Sequence, residues 1–189
     1  MIRFALILLC TSTLALAADD VPTAPQHHAR PGPKTTPELT AAVLDLDTRL
    51  FGAVFDSCDA SQLRSLVADD FEFYHDKHGL SATSGTQFGD NVRGMCARQQ
   101  TGEDYLARRE LDTASSEVFA MNNYGAIHTG VHRFYMLEPG KPEKLVEISR
   151  FSNLWHKDDQ GNWTLTRVFT RLRRFDLILS DFRLSAAGK

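Results

Sequence analysis

Asp70-Phe71-Glu72-Phe73-Tyr74-His75-Asp76 is the stretch on which the fold turns. Its aromatic side chains favour extended backbone and Gly79 punctuates its end, so it reads as a strand. In a regular strand Glu72, Tyr74 and Asp76 share one face, and Phe71, Phe73 and His75 share the other. Polarity sends the second set toward the core. The segments before this strand are helical, and the second half of the chain is strands.

On the N-terminal side Thr36 is suited to cap a helix, and Pro37 suits its first turn, where a missing N–H costs nothing. Leu39, Val43, Leu46, Leu50 and Val54 then recur at steps of three and four. Leu44, Phe51, Phe55 and Cys58 form an adjoining stripe, so the helix has a wide apolar face for packing on a sheet. Asp59 caps a second, short helix carrying Leu63, Leu66 and Val67. On the C-terminal side Ser84 with Gln87 is a capping-box pattern. Phe88, Val92, Met95 and Cys96 fall on one face of the helix it opens. Segments near 108–121, 125–138, 144–157 and 162–173 follow as four strands of an antiparallel meander. They are divided by Asn122-Asn123, Glu138-Pro139-Gly140-Lys141-Pro142 and Asp158-Asp159-Gln160-Gly161-Asn162. Helices first and strands second give an α+β domain: an antiparallel sheet with the N-terminal helices on one face.

The flanks read differently. Met1-Ile2-Arg3, an apolar run from Phe4 to Leu16, and Ala15-Leu16-Ala17 have the order of a secretory signal peptide cleaved after Ala17. The run is too short to span a bilayer as an anchor. Export to the periplasm or beyond is the expected localisation, with no membrane attachment after cleavage. Residues 18–36, with four prolines, read as a disordered tether, and His27-His28 within it as polar filler. The domain is expected over 37–175, and 176–189 as a C-terminal tail. That tail, apolar from Phe175 to Leu184, suits a last strand, a short helix or a homodimer contact. In an oxidising compartment Cys58 and Cys96 are a disulfide candidate. The chain of 189 residues carries a net charge of −3, which argues against nucleic acid as a partner.

The Leu50-to-Leu66 helix pair and the Asp69-to-Asp76 string carry a resemblance. So do Gln87-Phe88, Val92-Arg93, Gly125-Ala126-Ile127, Gly130-Val131-His132-Arg133-Phe134, Trp155, Gly161-Asn162-Trp163 and Leu165-Thr166-Arg167-Val168. Over roughly 38–173 the chain resembles the nuclear transport factor 2-like superfamily, in particular its bacterial single domains without assigned function. The resemblance implies a cone: a curved sheet wrapped around helices in a cystatin-like roll, with a pocket at the open end. Relatives include isomerases, dehydratases, epoxide hydrolases and polyketide cyclases, and others that only bind or dimerise. Fold alone does not choose between these. Where relatives are expected to continue with a Ser-Tyr-Asp-His-like run, this chain reads Thr170-Arg171-Leu172-Arg173, which weakens the enzyme reading.

Alternation sorts the candidate site residues. Trp163, Leu165, Arg167, Phe169 and Arg171 share one face of the last strand. Arg167 among large apolar side chains calls for a carboxylate such as Glu72 or Asp76, or for an anionic ligand. His128, Gly130, His132, Phe134 and Met136 share a face, and Gly130 leaves room for a ligand to approach the backbone. Four residues along a strand span about 13 Å, too far for His128 and His132 to hold one metal ion. No nucleophile elbow or phosphate-cradling loop is present, and no metal or cofactor is expected. The leading expectation is a small-molecule-binding pocket lined by Tyr74, His128, His132, Trp155 and Arg167. The competitors are an acid–base enzyme, with Asp76, His128 or His132 as base, and a structural dimerisation module.

Overall fold

The computed structural model describes residues 32–172. The expected signal peptide, most of the tether and the tail lie outside the described residues. Residues 32–36 carry one anchor: the Thr35 hydroxyl donates to the Val118 carbonyl and accepts from the Ala120 N–H.

Three helices come early, as their caps direct. Helix α1 spans Pro37–Phe51, with Thr36 accepting from the Leu39 N–H at 3.2 Å. It widens into a π-helical turn, Gly52–Asp56. Asp59 caps α2, Ala60–Leu66, by accepting from Ser61 and Gln62. Ser84 caps α3, Gly85–Thr101, by accepting from the Gln87 N–H, and Gln87 accepts in return from the Thr83 N–H. The strands are β1 (Val67–His75), β2 (Gly79–Ala82), β3 (Leu106–Met121), β4 (Gly125–Leu137), β5 (Lys144–Lys157) and β6 (Trp163–Leu172).

They form one curved, unclosed sheet in the order β2-β1-β6-β5-β4-β3. The meander β3 to β6 is antiparallel, as expected. The sheet as a whole is mixed, because β1 runs parallel to β6. β2, to which the sequence reading gave no element beyond the Gly79 break, is a short strand folding back on β1. The helices cover the inner face, and the core between is built from Val43, Leu46, Leu50, Leu63, Leu66, Phe71, Val92, Trp155 and Leu165. Phe71 is wholly buried and Phe73 packs against the core.

Cys58 and Cys96 are joined in a disulfide, with Cα atoms 6.2 Å apart and a sequence separation of 38. The bond ties the end of the π-helical turn to α3. Closing a loop of that length is worth about 4 kcal/mol through the unfolded chain's lost entropy.

One irregularity decides which side chains reach the interior. Along β5 and β6, Leu154 pairs with Arg167 but Trp155 pairs with Leu165, so Thr166 is an extra residue. A bulge of this kind resets the alternation of faces. Leu165 points to the core, yet after the bulge Val168 and Thr170 point inward, while Arg167 and Phe169 point out. The expected grouping of Arg167 with Leu165 is thereby broken.

Candidate functional site

The inner face and the helices enclose a cavity of about 250 Å³. The π-helical turn supplies Val54 and Phe55, and α1 supplies Leu50 and Phe51. Phe71 and Phe73 come from β1, Phe88 and Met95 from α3, and Phe134 from β4. Six phenylalanines make an aromatic wall. The polar lining is sparse: His75, Asn91, His132, Glu147, Ser149 and Thr170.

Behind that wall lies a charged cluster. Asp47 is 1% exposed, and the Arg109 side chain 6%. Arg109 grips Asp47 through both terminal nitrogens, at 2.5 and 3.1 Å. Its guanidinium stacks 3.8 Å from the Phe51 ring centroid and offers Nε to His132 Nδ1 at 3.4 Å. Burial pulls the Arg109 pKa down, against the opposing charge of Asp47. A buried pair survives when its geometry is good and its remaining valences are met, and here both carboxylate oxygens are engaged.

His132 is 2% exposed and sits among Phe51, Phe134 and Phe151, with ring centroids 4.6–5.8 Å away. Burial, aided by the nearby Arg109 charge, pushes its pKa down to about 3. Its Nε2 has no hydrogen-bond partner among the described residues. A buried polar atom without a partner costs roughly 1–3 kcal/mol, so this one is a feature to be explained.

His128 shares the inner face with His132 but lies deeper and is fully buried, outside the cavity lining. Its Nε2 meets the Ser116 hydroxyl at 2.8 Å, and its Nδ1 is 3.7 Å from Asp47. Burial lowers its pKa too. Serine, histidine and aspartate stand in the order of a nucleophilic triad. However, 3.7 Å is beyond hydrogen-bond reach, and Arg109 already holds the aspartate. The space that Gly130 leaves between the histidines is filled by the protein itself. A Cβ there would meet the Phe151 ring at 3.0 Å.

The other sequence candidates are placed elsewhere. Trp155 is wholly buried in the core, away from the cavity lining. Tyr74 and Arg167 are on the outer face. The Tyr74 hydroxyl donates to Glu72 at 2.9 Å, its ring stacks on Phe169, and Arg167 Nε pairs with Glu72 at 2.9 Å. The carboxylate expected to answer Arg167 is therefore Glu72. Asp76 accepts from the Leu172 N–H at 2.9 Å, pinning the end of β6. Of the expected lining set, the structure brings only His132 to the cavity. His75, by contrast, does line it, next to Glu147, which is held by Lys77 at 2.9 Å and Ser149 at 2.6 Å. Desolvation lowers the His75 pKa.

The two residues that hold His132 were missed in the sequence, although one left a signal. Asp47 stands four residues after Val43 and three before Leu50, inside the apolar stripe of α1. A carboxylate on that face must have a buried cation as partner. Nothing local names Arg109 as that cation, because it is 62 residues away.

Several solved structures share this architecture. Aln2 from a Streptomyces species superposes with a TM-score of 0.61, over 79% of this chain and 99% of its own, at 13% identity. A nuclear transport factor 2-like protein with a cystatin-like fold from Novosphingobium aromaticivorans gives 0.60, covering 76% and 88%, at 16% identity. A superfamily protein from Salmonella enterica gives 0.55, covering 72% and 92%, at 16% identity. No family model and no curated protein matches the chain. The likeness is one of backbone: the chain has the nuclear transport factor 2-like, cystatin-like fold.

Proposed function

We propose that this protein is an exported binding domain for an apolar small molecule held in the phenylalanine-lined cavity. The observation that carries the reading is the cavity itself: about 250 Å³ with six phenylalanines in its wall and few polar groups. Well-formed apolar pockets with a small number of placed polar groups are the usual form of small-molecule sites. The volume suits roughly two to three fused rings. A purely structural module would gain by filling that space, since each void forfeits packing energy.

Proton-transfer catalysis is the weaker reading. A general base needs a pKa near the working pH, and His132 lies far below it. Asp76 is occupied at the end of β6, and Glu147 is engaged by a lysine and a serine.

Filling the cavity tests the binding reading. Val92, 5% exposed, lines it from α3. Val92→Trp is expected to cost about 1–3 kcal/mol in overpacking and to abolish retention of any small molecule that co-purifies with the wild type. Mass spectrometry of extracts from the two proteins, matched for amount, makes the comparison. The same compound retained equally by both would place binding outside the cavity.

Export is part of the same proposal. It is supported by the Met1-to-Ala17 pattern and by the disulfide, a bond that persists in oxidising compartments. Intact-mass spectrometry of protein from the periplasm or medium should find a chain beginning at Ala18. A mass that retains Met1 would contradict it.

A further inference from the structure

We infer that the outer face of the sheet carries a second site, an open groove in which Arg150 and Arg171 take the carboxylate of an aromatic monocarboxylic acid and Phe169 takes its ring. The groove lies across the sheet from the cavity, so the inference stands apart from the binding reading above.

Strand register builds the cationic end. Arg150 on β5 stands directly opposite Arg171 on β6, and both side chains are exposed. Like charges placed directly opposite each other destabilise a sheet. Elsewhere on the same face each arginine is answered: Arg108 meets Glu143 at 2.6 Å, Arg133 meets Asp112 at 2.9 Å, and Arg167 meets Glu72 at 2.9 Å. Neither Arg150 nor Arg171 has an ion pair or a side-chain hydrogen bond among the described residues. Asp112 lies in their row, across Val131, but it is the carboxylate that Arg133 holds.

An irregularity in β3 walls the groove. Thr113 to Ser116 face only Gly130 on β4, so this stretch arches out of the sheet. The Ser115 hydroxyl ties the arch down, donating to the Asp112 carbonyl and accepting from the Val131 N–H, each at 2.8 Å. Bulges of this kind are frequent beside binding sites, where they reshape the surface. The groove that results has a volume of about 300 Å³. In its next outward row Ser152 pairs with Phe169, two residues or about 7 Å along the strands from the arginines. Phe169 is 50% exposed, and its ring is backed by Tyr74 at 5.1 Å, which makes a flat apolar platform.

The chemistry of the ligand follows from these parts. A guanidinium presents paired N–H groups that match the two oxygens of a carboxylate. An anion between the two guanidinium groups also relieves their mutual repulsion. A ring joined to that carboxylate reaches Phe169 at the spacing of the two rows. Glu117 stands at the far wall, three strand spacings or about 14 Å from Phe169. Two arginines and one glutamate leave the groove a net charge of +1, which suits one carboxylate better than a multiply charged anion.

Benzoate and benzamide test this, because they share a ring and a shape and differ in charge. In NMR titrations of the isotope-labelled wild-type protein, benzoate should move the Nε–Hε signals of Arg150 and Arg171 and the Phe169 amide, with a Kd about tenfold below that of benzamide. Acetate, which lacks the ring, should bind about fivefold more weakly than benzoate, and inorganic phosphate more weakly too. Arg171→Met should weaken benzoate about tenfold, and Phe169→Ala should reduce it to the level of acetate. Arg171→Met should unfold at an equal or higher urea concentration, since it removes a like-charge contact. In Val92→Trp, with the cavity filled, the benzoate response should persist. Benzoate and benzamide binding alike, phosphate binding as tightly as benzoate, or affinity surviving Arg171→Met would each overturn the inference. Loss of the response in Val92→Trp would overturn it by placing benzoate in the cavity. No response in the wild type, or a lower urea midpoint for Arg171→Met, would overturn it as well, because the arginines would then be answered by carboxylates elsewhere in the chain or on a second copy.

Discussion

Asp47→Ala is expected to lower stability by about 3–5 kcal/mol, read as a reduced urea midpoint with an unchanged slope. The carboxylate is 1% exposed and is gripped twice by Arg109, itself nearly excluded from water. Removing it leaves a guanidinium with no counter-charge, walled in by Phe51 and 5.7 Å from the Phe151 ring. Desolvating an unpaired ion costs far more than the pair gains, so losing one partner is worse than losing both. The double variant Asp47→Leu/Arg109→Met should therefore return to within about 1–2 kcal/mol of the wild type. The sign of the coupling between the two sites is the diagnostic, because exposed pairs couple by only a few tenths. If Asp47→Ala cost less than about 1 kcal/mol, Arg109 would have to reach water, and the cluster would not be a sealed floor beneath the cavity.

That floor was the part of the molecule least legible in the sequence. The elements themselves could be read. Thr36, Asp59 and Ser84 open the three helices they were expected to open, and the four meander strands begin and end within two residues of the expected bounds. Local chemistry decides such features: caps satisfy free N–H groups, and turn residues divide apolar runs. The assignment of side chains to faces failed wherever the strict period of two was broken. Alternation carried through Thr166 would have kept Arg167 on the same side as Leu165, but the bulge sends it out to Glu72. Tyr74 went with Glu72, as simple polarity suggested for that face of β1. Sequence pattern recognised His128 and His132 as sharing a face but could not supply their surroundings. Those come from α1 and β3, elements that only the tertiary fold brings together.

Stability should fall as the pH drops below about 6.5, and most of that loss should trace to the histidines on the inner face. His132 is held down to about 3 in the folded protein, against 6.5 for an unperturbed ring, chiefly because burial disfavours its charged form. Above pH 6.5 neither state carries the proton, and the contribution to stability is complete. Between 6.5 and about 3 the unfolded ring is protonated and the folded one is not. The unfolded state then binds more protons, and stability must decline as pH falls. At about 1.4 kcal/mol for each tenfold difference in proton affinity between the two states, the full loss is on the order of 5 kcal/mol, with His128 and His75 acting in the same direction. Urea unfolding between about pH 6.5 and 4.5, above the range where most carboxylates titrate, isolates this slope. His132→Phe keeps a ring in place and removes the titration, so its slope should be shallower by close to one proton. An unchanged slope would mean that the folded ring titrates near its ordinary value.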